Sequence, residues 1–301
     1  MRSTVAAFLA AAFLVPALPA AAAQWPKEAE RVVEGLKFTE GPAWHPDGYL
    51  LFSDIPADRI YRWAEGKELA VYRQPSHQAN GLAIDPKGRL VACEHGARRV
   101  TRTEPDGTVV VLAERYQGKR LNSPNDLALH SDGSIYFTDP PYGVRGRERE
   151  LDFQGVYRVA PDGGLTLLAD DLPRPNGIGL SPDEKRLYVD DSQRKIVRVH
   201  PLRDDGSVGR GRLLIDLGKH GTRVLDGMAV DVQGNLYVTG TDGVFVVSPE
   251  GELLATIPCP GQCTNCCFGG EERRTLYVTA RTKQGGSVYR VAAPIAGHQV
   301  R

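Results

Sequence analysis

The chain has 301 residues, with 37 basic and 37 acidic side chains, so its formal net charge is zero. That balance leaves no bulk electrostatic footprint for nucleic acid or an anionic membrane surface. A quarter of the residues are charged and 41% are hydrophobic, which excludes a disordered polyelectrolyte and a multi-span membrane protein.

Chain order begins with an export signal. Arg2 gives a short basic start, Val5 to Ala23 is apolar and broken by Pro16 and Pro19, and the run closes on four alanines before Gln24. A basic start, an apolar run and an A-x-A end are the marks of a cleaved signal peptide over residues 1–23. The expected location is therefore periplasmic or secreted, with residues 24–301 forming a single domain. The 33 glycines and 21 prolines suit a domain rich in tight turns.

Six related segments follow. Each opens on a short oxygen-bearing residue and runs into an apolar strand: Glu40-Gly-Pro-Ala-Trp, Asn80-Gly-Leu-Ala-Ile, Asn125-Asp-Leu-Ala-Leu, Asn176-Gly-Ile-Gly-Leu, Asp226-Gly-Met-Ala-Val and Asn265-Cys-Cys-Phe-Gly. The steps between openers are 40, 45, 51, 50 and 39 residues. Second strands are expected at Leu50, Leu90, Ile135, Leu187, Leu236 and Leu276, after turn signals such as Asp85-Pro-Lys-Gly88. Third strands are expected at Arg59–Trp63, Gly155–Val159, Lys195–Val199 and Ser287–Val291, and a fourth at Thr108–Leu112. These runs alternate and favour β-branched and aromatic residues, which is strand behaviour.

Four antiparallel strands in each unit of roughly 40–50 residues mark a β-propeller blade. The reading is an all-β, six-bladed β-propeller. The last unit lacks a fourth strand, and Glu30–Glu34 lies unused before the first opener. That segment is expected to pair into the last blade and close the ring, removing an exposed edge.

First strands lie nearest a propeller's axis, so the openers Glu40, Asn80, Asn125, Asn176, Asp226 and Asn265 are expected to converge on one mouth of the channel. All six carry a side-chain oxygen and none is basic. Turn chemistry explains an Asn-Gly pair, but glutamate is a poor turn former. Carboxylates and amides converging from separate blades suit one divalent cation with oxygen ligands, calcium before magnesium; a hydrogen-bonded structural ring is the alternative. His95 at the end of a second strand and His77 at a blade entry can reach the same mouth. The run Arg145-Gly-Arg-Glu-Arg-Glu150 sits in the long 140–154 loop above it, as solvated surface or as a lid. No G-x-S-x-G elbow, H-E-x-x-H helix or phosphate-binding glycine loop is present.

Five cysteines, Cys93, Cys259, Cys263, Cys266 and Cys267, leave at least one thiol unpaired within a monomer. In an oxidising compartment the spacing favours a bridge from Cys259 to Cys263. A zinc site is disfavoured, because adjacent Cys266 and Cys267 point to opposite faces of a strand.

Glu40-Gly-Pro, Leu121-Asn-Ser-Pro-Asn-Asp126, Pro175-Asn-Gly177, Leu225-Asp-Gly-Met228 and Cys266-Cys-Phe-Gly-Gly270, in that order, resemble the gluconolactonase / senescence marker protein (regucalcin) family. Tyr136-Phe-Thr-Asp-Pro-Pro-Tyr-Gly143 looks like its bacterial gluconolactonase-type branch. The resemblance spans residues 24–301. It implies a six-bladed propeller that holds a divalent cation, usually calcium, and hydrolyses sugar lactones. By that resemblance Glu40, Asn176, Asp226 and Asn125 are metal ligands, Asp226 is also the general base, and Asn125 and Asp126 contact substrate. His95 and Tyr142 are further candidate substrate contacts. Some relatives carry a basic residue where this chain has Ser123, which leaves the identity of the lactone open. The expectation is a calcium-dependent lactonase acting on a small lactone or similar cyclic ester, with no nucleic-acid or membrane partner. A non-catalytic ligand-binding propeller and a phosphotriesterase using the same metal site are the alternatives.

Overall fold

The computed structural model describes residues 24–144 and 148–300; the 1–23 segment and residues 145–147, the first half of the Arg145–Glu150 run, lie outside the described residues. The chain folds as an all-β propeller, and among the described residues helix is limited to short 3₁₀ turns such as Ile55–Ala57 and Leu217–His220.

Four sheets have four antiparallel strands each and follow chain order. They are β2 (Thr39–His45) to β5 (Ala70–Arg73), β6 (Ala79–Ile84) to β9 (Val109–Ala113), β12 (Leu127–Leu129) to β15 (Leu165–Ala169), and β16 (Pro175–Leu180) to β19 (Arg212–Asp216). Between the second and third of these, β10 (Arg115–Tyr116) and β11 (Lys119–Arg120) form a small hairpin. Expected second-strand starts agree to within a residue: β7 begins at Leu90, β13 at Ile135 and β17 at Arg186.

The expectation of six separate blades needs correction, because the blades are five sheets. The last is six-stranded, in the order β1-β24-β23-β22-β21-β20, and carries two of the six openers. The reason lies in two long strands. β21 (Leu236–Val247) pairs with β20 (Leu225–Val230) through its first half and with β22 (Leu253–Gly269) through its second. β22 in turn pairs with β21 through Leu253–Gln262 and with β23 (Thr275–Thr282) through Gln262–Gly269. The chain reverses through Asp242, at φ 62°, with hardly a break in pairing. A spacing argument cannot see that continuity.

Ring closure is as expected. β1 (Glu30–Leu36) pairs antiparallel with β24 (Gly285–Ala292), and Arg290 anchors the join through Glu30 at 2.7 Å and Glu65 at 2.8 Å.

Burial grades outward from the axis. β3 (Tyr49–Asp54) and β7 (Leu90–Glu94) are buried throughout, whereas β5 and most of β9 are exposed. Period-2 alternation divides each inner strand between two neighbours: Leu51 packs with Leu82 and Ala92 of the next repeat, while Leu50 and Phe52 pack with Tyr277 and Val288 of the last.

Two devices draw the openers close. The first is a glycine after the opener. A Cβ on Gly41 would lie 2.0 Å from the Asn80 carbonyl oxygen, one on Gly81 2.6 Å from that of Asn125, and one on Gly177 2.4 Å from that of Asp226. Only glycine permits such approach of backbone to backbone. The second is a hydroxyl opposite the opener on the second strand. Ser53 Oγ donates to the Asn80 carbonyl (2.8 Å) and Thr138 Oγ1 to that of Asn176 (2.7 Å). Thr264 Oγ1 donates to Thr39 O (2.8 Å), joining the last opener strand to the first.

Candidate active site

Five of the six openers line one mouth. Glu40, Asn80, Asn125, Asn176 and Asp226 surround a cavity of 580 Å³ together with Phe38, Ile55, Pro56, His95, Tyr142, Arg174, Ser192, Gln193, Val224 and Gln262. Each of the five is buried. Asn265 and Asp126 depart from expectation. Both line a separate cavity of 310 Å³ on the far side of the ring, beside Met228, Phe268 and the 298–300 segment.

Backbone alternation accounts for Asp126. It occupies the position that glycine holds in four other openers, one residue past Asn125, so its side chain projects away from the mouth. Its carboxyl oxygen accepts from Leu127 N (3.0 Å), and burial raises its pKa to about 7. Asn265 stands between the two cavities: its Oδ1 accepts from Cys266 N at 2.7 Å, and its side chain hydrogen-bonds to Glu40 and Asp126.

The mouth has the donor set of a hard-cation site. Glu40 Oε2 accepts from Gly41 N (2.8 Å), and Gln262 Nε2 donates to Asp226 Oδ2 (3.4 Å). Burial pushes the Glu40 carboxyl well above its ordinary range, and the nearby Asp226 charge pushes it further. Asp226 is raised likewise, by burial first and then by Asp190. Asn176 Nδ2 donates to Ser192 Oγ (3.0 Å), which turns its oxygen away from that bond. The Oδ1 atoms of Asn176 and Asn80 are buried without a hydrogen-bond partner. A buried unpaired acceptor costs about 1–3 kcal/mol, and crowded buried carboxylates cost more unless a cation is present. One cation at this mouth would relieve both penalties. Among the described residues no three His, Cys, Asp or Glu side chains gather to hold a metal, so the set is two carboxylates supplemented by amide oxygens, a calcium-like mixture. Asn80 joins Glu40, Asn125, Asn176 and Asp226 in it.

Residues beyond the openers complete the mouth. His95 is buried and held neutral at neutral pH, its pKa lowered by burial to about 4, which disfavours a proton-carrying role for it. Gly143 packs on its ring; a Cβ there would meet His95 Nε2 at 2.4 Å. Ser123 pins the loop that carries Tyr142: its Oγ donates to Pro140 O (2.5 Å) and accepts from Gly143 N (2.9 Å). The Tyr142 side is partly exposed, while its hydroxyl reaches toward Ser192 and burial lifts its pKa to about 12. His77 is absent from the lining.

Asp190 is the residue that the sequence reading missed. It stands on β17 (Arg186–Asp191), opposite Asn176, where Ser53 and Thr138 stand in their own sheets. It is fully buried with neither carboxyl oxygen hydrogen-bonded. Burial and the Asp126 charge raise its pKa well above the usual range, which favours the neutral acid, a donor like the hydroxyls it replaces. An available signal was the doubled Asp190-Asp191: second strands end on an acid at Asp54, Glu94, Asp139 and Asp191, so the extra acid before Asp191 must face the other way.

Asp139 gives a prediction that is independent of the mouth. Its Oδ2 accepts from Asn122 N (2.7 Å), yet burial raises its pKa from 3.8 to about 7. The folded state then binds a proton that the unfolded chain has released, so this group's contribution to stability falls as pH rises from about 4 to about 7. Urea melts of metal-free protein at pH 4.5 and 7.5 are expected to show a smaller loss of stability with pH in Asp139→Asn than in wild type. Equal pH slopes would contradict the raised pKa.

The five cysteines are free thiols, four of them buried. The expected Cys259–Cys263 bridge is thus a further correction: Cys263 Sγ instead approaches the Cys259 carbonyl at 4.0 Å. Cys259, Cys263 and Cys266 pack in an apolar cluster with Tyr237 and Phe268, where thiols behave as small hydrophobes.

Known proteins match this architecture over most of its length. The sequence profile described as SMP-30/Gluconolactonase/LRE-like region matches residues 38–282. A gluconolactonase of Zymomonas mobilis is 37% identical, covering 83% of this chain and 78% of its own. Regucalcin of Xenopus laevis is 27% identical, covering 86% and 92%. Among solved structures, a Xanthomonas campestris protein described as a gluconolactonase important in glucose secondary metabolic pathways superposes at a TM-score of 0.78. It has 34% identity, over 93% of this chain and 98% of that one. A protein described as a putative gluconolactonase reaches a TM-score of 0.83 at 34% identity, over 91% and 96%. On the profile match, the identities and the shared propeller, the chain belongs to the SMP-30/gluconolactonase/LRE-like family.

Proposed function

We propose that the protein is a divalent-cation-dependent lactonase, calcium being the natural ion, that opens a small sugar lactone or similar cyclic ester at this mouth. The observation that carries the reading is the pairing of two buried carboxylates, Glu40 and Asp226, with unpartnered amide oxygens from Asn80 and Asn176 in one cavity. Family membership supports lactone hydrolysis. The residues that would hold the cation are Glu40, Asn176 and Asp226, with Asn125 and Asn80 beside them. When bound, such an ion polarises a carbonyl oxygen and stabilises developing negative charge.

The chain's own groups supply the remainder. Asp226 takes a proton from the attacking water as it adds to the lactone carbonyl. Gln262, donating to Asp226 Oδ2, holds that carboxylate in orientation. The Asn125 amide donates to the oxygen on which charge builds. Proton return to the ring oxygen opens the lactone. His95 and Tyr142 wall the substrate volume, His95 as a neutral hydrogen-bonding group.

Export through a cleaved 1–23 signal is part of the same proposal; mass measurement of exported protein is expected to place its N-terminus at or near Gln24. The activity test is a panel of aldonolactones, simple lactones, aryl esters and a phosphotriester, offered to metal-loaded and metal-stripped protein. Lactone opening that needs the ion is expected. Activity indifferent to exhaustive metal removal would refute the metal-dependent reading, and turnover confined to the phosphotriester would favour the phosphotriesterase alternative.

A further inference from the structure

The mouth contains one cationic side chain among its described lining residues, Arg174. Its backbone is fixed to the site, since Ser192 N donates to Arg174 O at 3.0 Å and Ser192 Oγ accepts from Asn176 Nδ2. Its guanidinium lies 5.4 Å from the centroid of the Tyr142 ring, and the hydroxyl end of that ring reaches Ser192. The cation therefore stands one tyrosine ring away from the carboxylate centre, with an aromatic platform beneath it.

Neighbouring arginines are engaged elsewhere. Arg198 binds both oxygens of Asp171 at 2.8 Å, and Arg194 donates to the Asp171 carbonyl. No salt bridge or hydrogen bond from the Arg174 guanidinium is seen among the described residues, and its side chain is exposed to the cavity.

Charge counting gives this position a meaning. Two carboxylates, Glu40 and Asp226, balance a divalent ion, and Arg174 then leaves the mouth with a net positive charge. A neutral sugar lactone offers this cation only hydroxyl acceptors, whereas a carboxylate or phosphate matches it in charge and in fork geometry and gains a charge-assisted pair. The 580 Å³ cavity is large enough for a lactone ring at the carboxylates and a charged substituent at Arg174.

We propose that the preferred substrates are acidic lactones, bearing a carboxylate or phosphate group on the side remote from the reacting carbonyl, and that Arg174 is the residue that selects them. This rests on the lactonase reading and narrows it. Binding of the anion orients the ring and excludes neutral competitors; Arg174 takes no part in proton transfer.

The test compares three lactones of the same ring size on the metal-loaded protein: a neutral aldonolactone, an aldaric monolactone with a free carboxylate, and an aldonolactone phosphate. Wild type is expected to favour at least one acidic lactone by about 10–100-fold in kcat/KM, the range of a charge-assisted hydrogen bond. The preference should appear in KM and weaken with added salt. Which acidic lactone wins identifies the anion. In Arg174→Gln the acidic-to-neutral ratio should fall close to one with kcat on the acidic lactone little changed, and Arg174→Lys should keep part of it. A thermal melt matching wild type checks that the exposed substitution leaves the fold intact. Neutral lactones opened as well as acidic ones by wild type, or a ratio that Arg174→Gln leaves standing, would overturn the proposal and leave the lactonase reading untouched. No lactone of any charge opened would overturn both.

Discussion

Asp226→Asn is expected to lower the rate of lactone opening by about 10²–10⁴-fold at saturating calcium, with ion binding weakened but retained. The substitution keeps an oxygen ligand and nearly the same volume while removing one charge and the basic oxygen. Glu40→Gln should behave differently. Gly41 N holds its carboxylate as Gln262 holds that of Asp226, and its assignment as a ligand alone rests on the family resemblance. The main loss in Glu40→Gln is therefore ion affinity, and added calcium should recover much of the rate. Calorimetric calcium titration of each variant beside its kcat separates the two roles. Glu40→Gln inactive at saturating calcium with Asp226→Asn rescued by it would exchange them, and calcium-rescued losses of equal size at both would remove the base role from Asp226. Both side chains face Asp126 or Asp190 through the ring, so an effect on the pH profile of either variant is expected as well.

The sequence reading was strongest where local chemistry repeats. Polar openers and alternating strands recur in every unit, and turns of Pro-Asp-Gly type in several, so strand starts such as Leu90 and Ile135 and the closing role of Glu30–Leu36 were readable without coordinates. The continuity of β21 and β22 was not, because Gly240-Thr-Asp-Gly243 reads as an ordinary turn signal while pairing continues almost unbroken on either side of Asp242. Glu40, Asn125, Asn176, Asp226, His95 and Tyr142 were legible as neighbours around one cavity. Asp126 was not, since adjacency in sequence to Asn125 means opposition in space on a strand. Gln262 and Arg174 carried no motif of their own. Their relevance comes from where neighbouring sheets bring them, which is tertiary information. The cysteine cluster misled in a similar way: the interval between Cys259 and Cys263 permits a bridge, but burial among aromatic side chains makes them core thiols instead.

Removal of the ion should destabilise the ring, and the size of the effect should depend on pH in a stated direction. A ligand bound by the folded state alone stabilises by about 2.7 kcal/mol at 100 times its dissociation constant. For a domain of this size that corresponds to roughly 5–10 °C in Tm. Without the ion, Glu40 and Asp226 sit buried near one another and near Asp190, with pKa values raised by burial and by like charge. Each raised carboxyl holds a proton that the unfolded chain releases above its ordinary pKa, so the metal-free protein loses stability as pH rises through and beyond that range. Protons and the cation compete for the same oxygens, so ion binding strengthens as protons leave. The difference in Tm between calcium-loaded protein and protein stripped by dialysis is therefore expected to be small at pH 5 and several-fold larger at pH 8. Glu40→Gln should reduce that difference, because one of the competing carboxylates is gone. A Tm unaffected by calcium at both pH values would argue against an ion at this mouth. A larger shift at pH 5 than at pH 8 would mean that the carboxylates lining it are not the groups that respond to the ion.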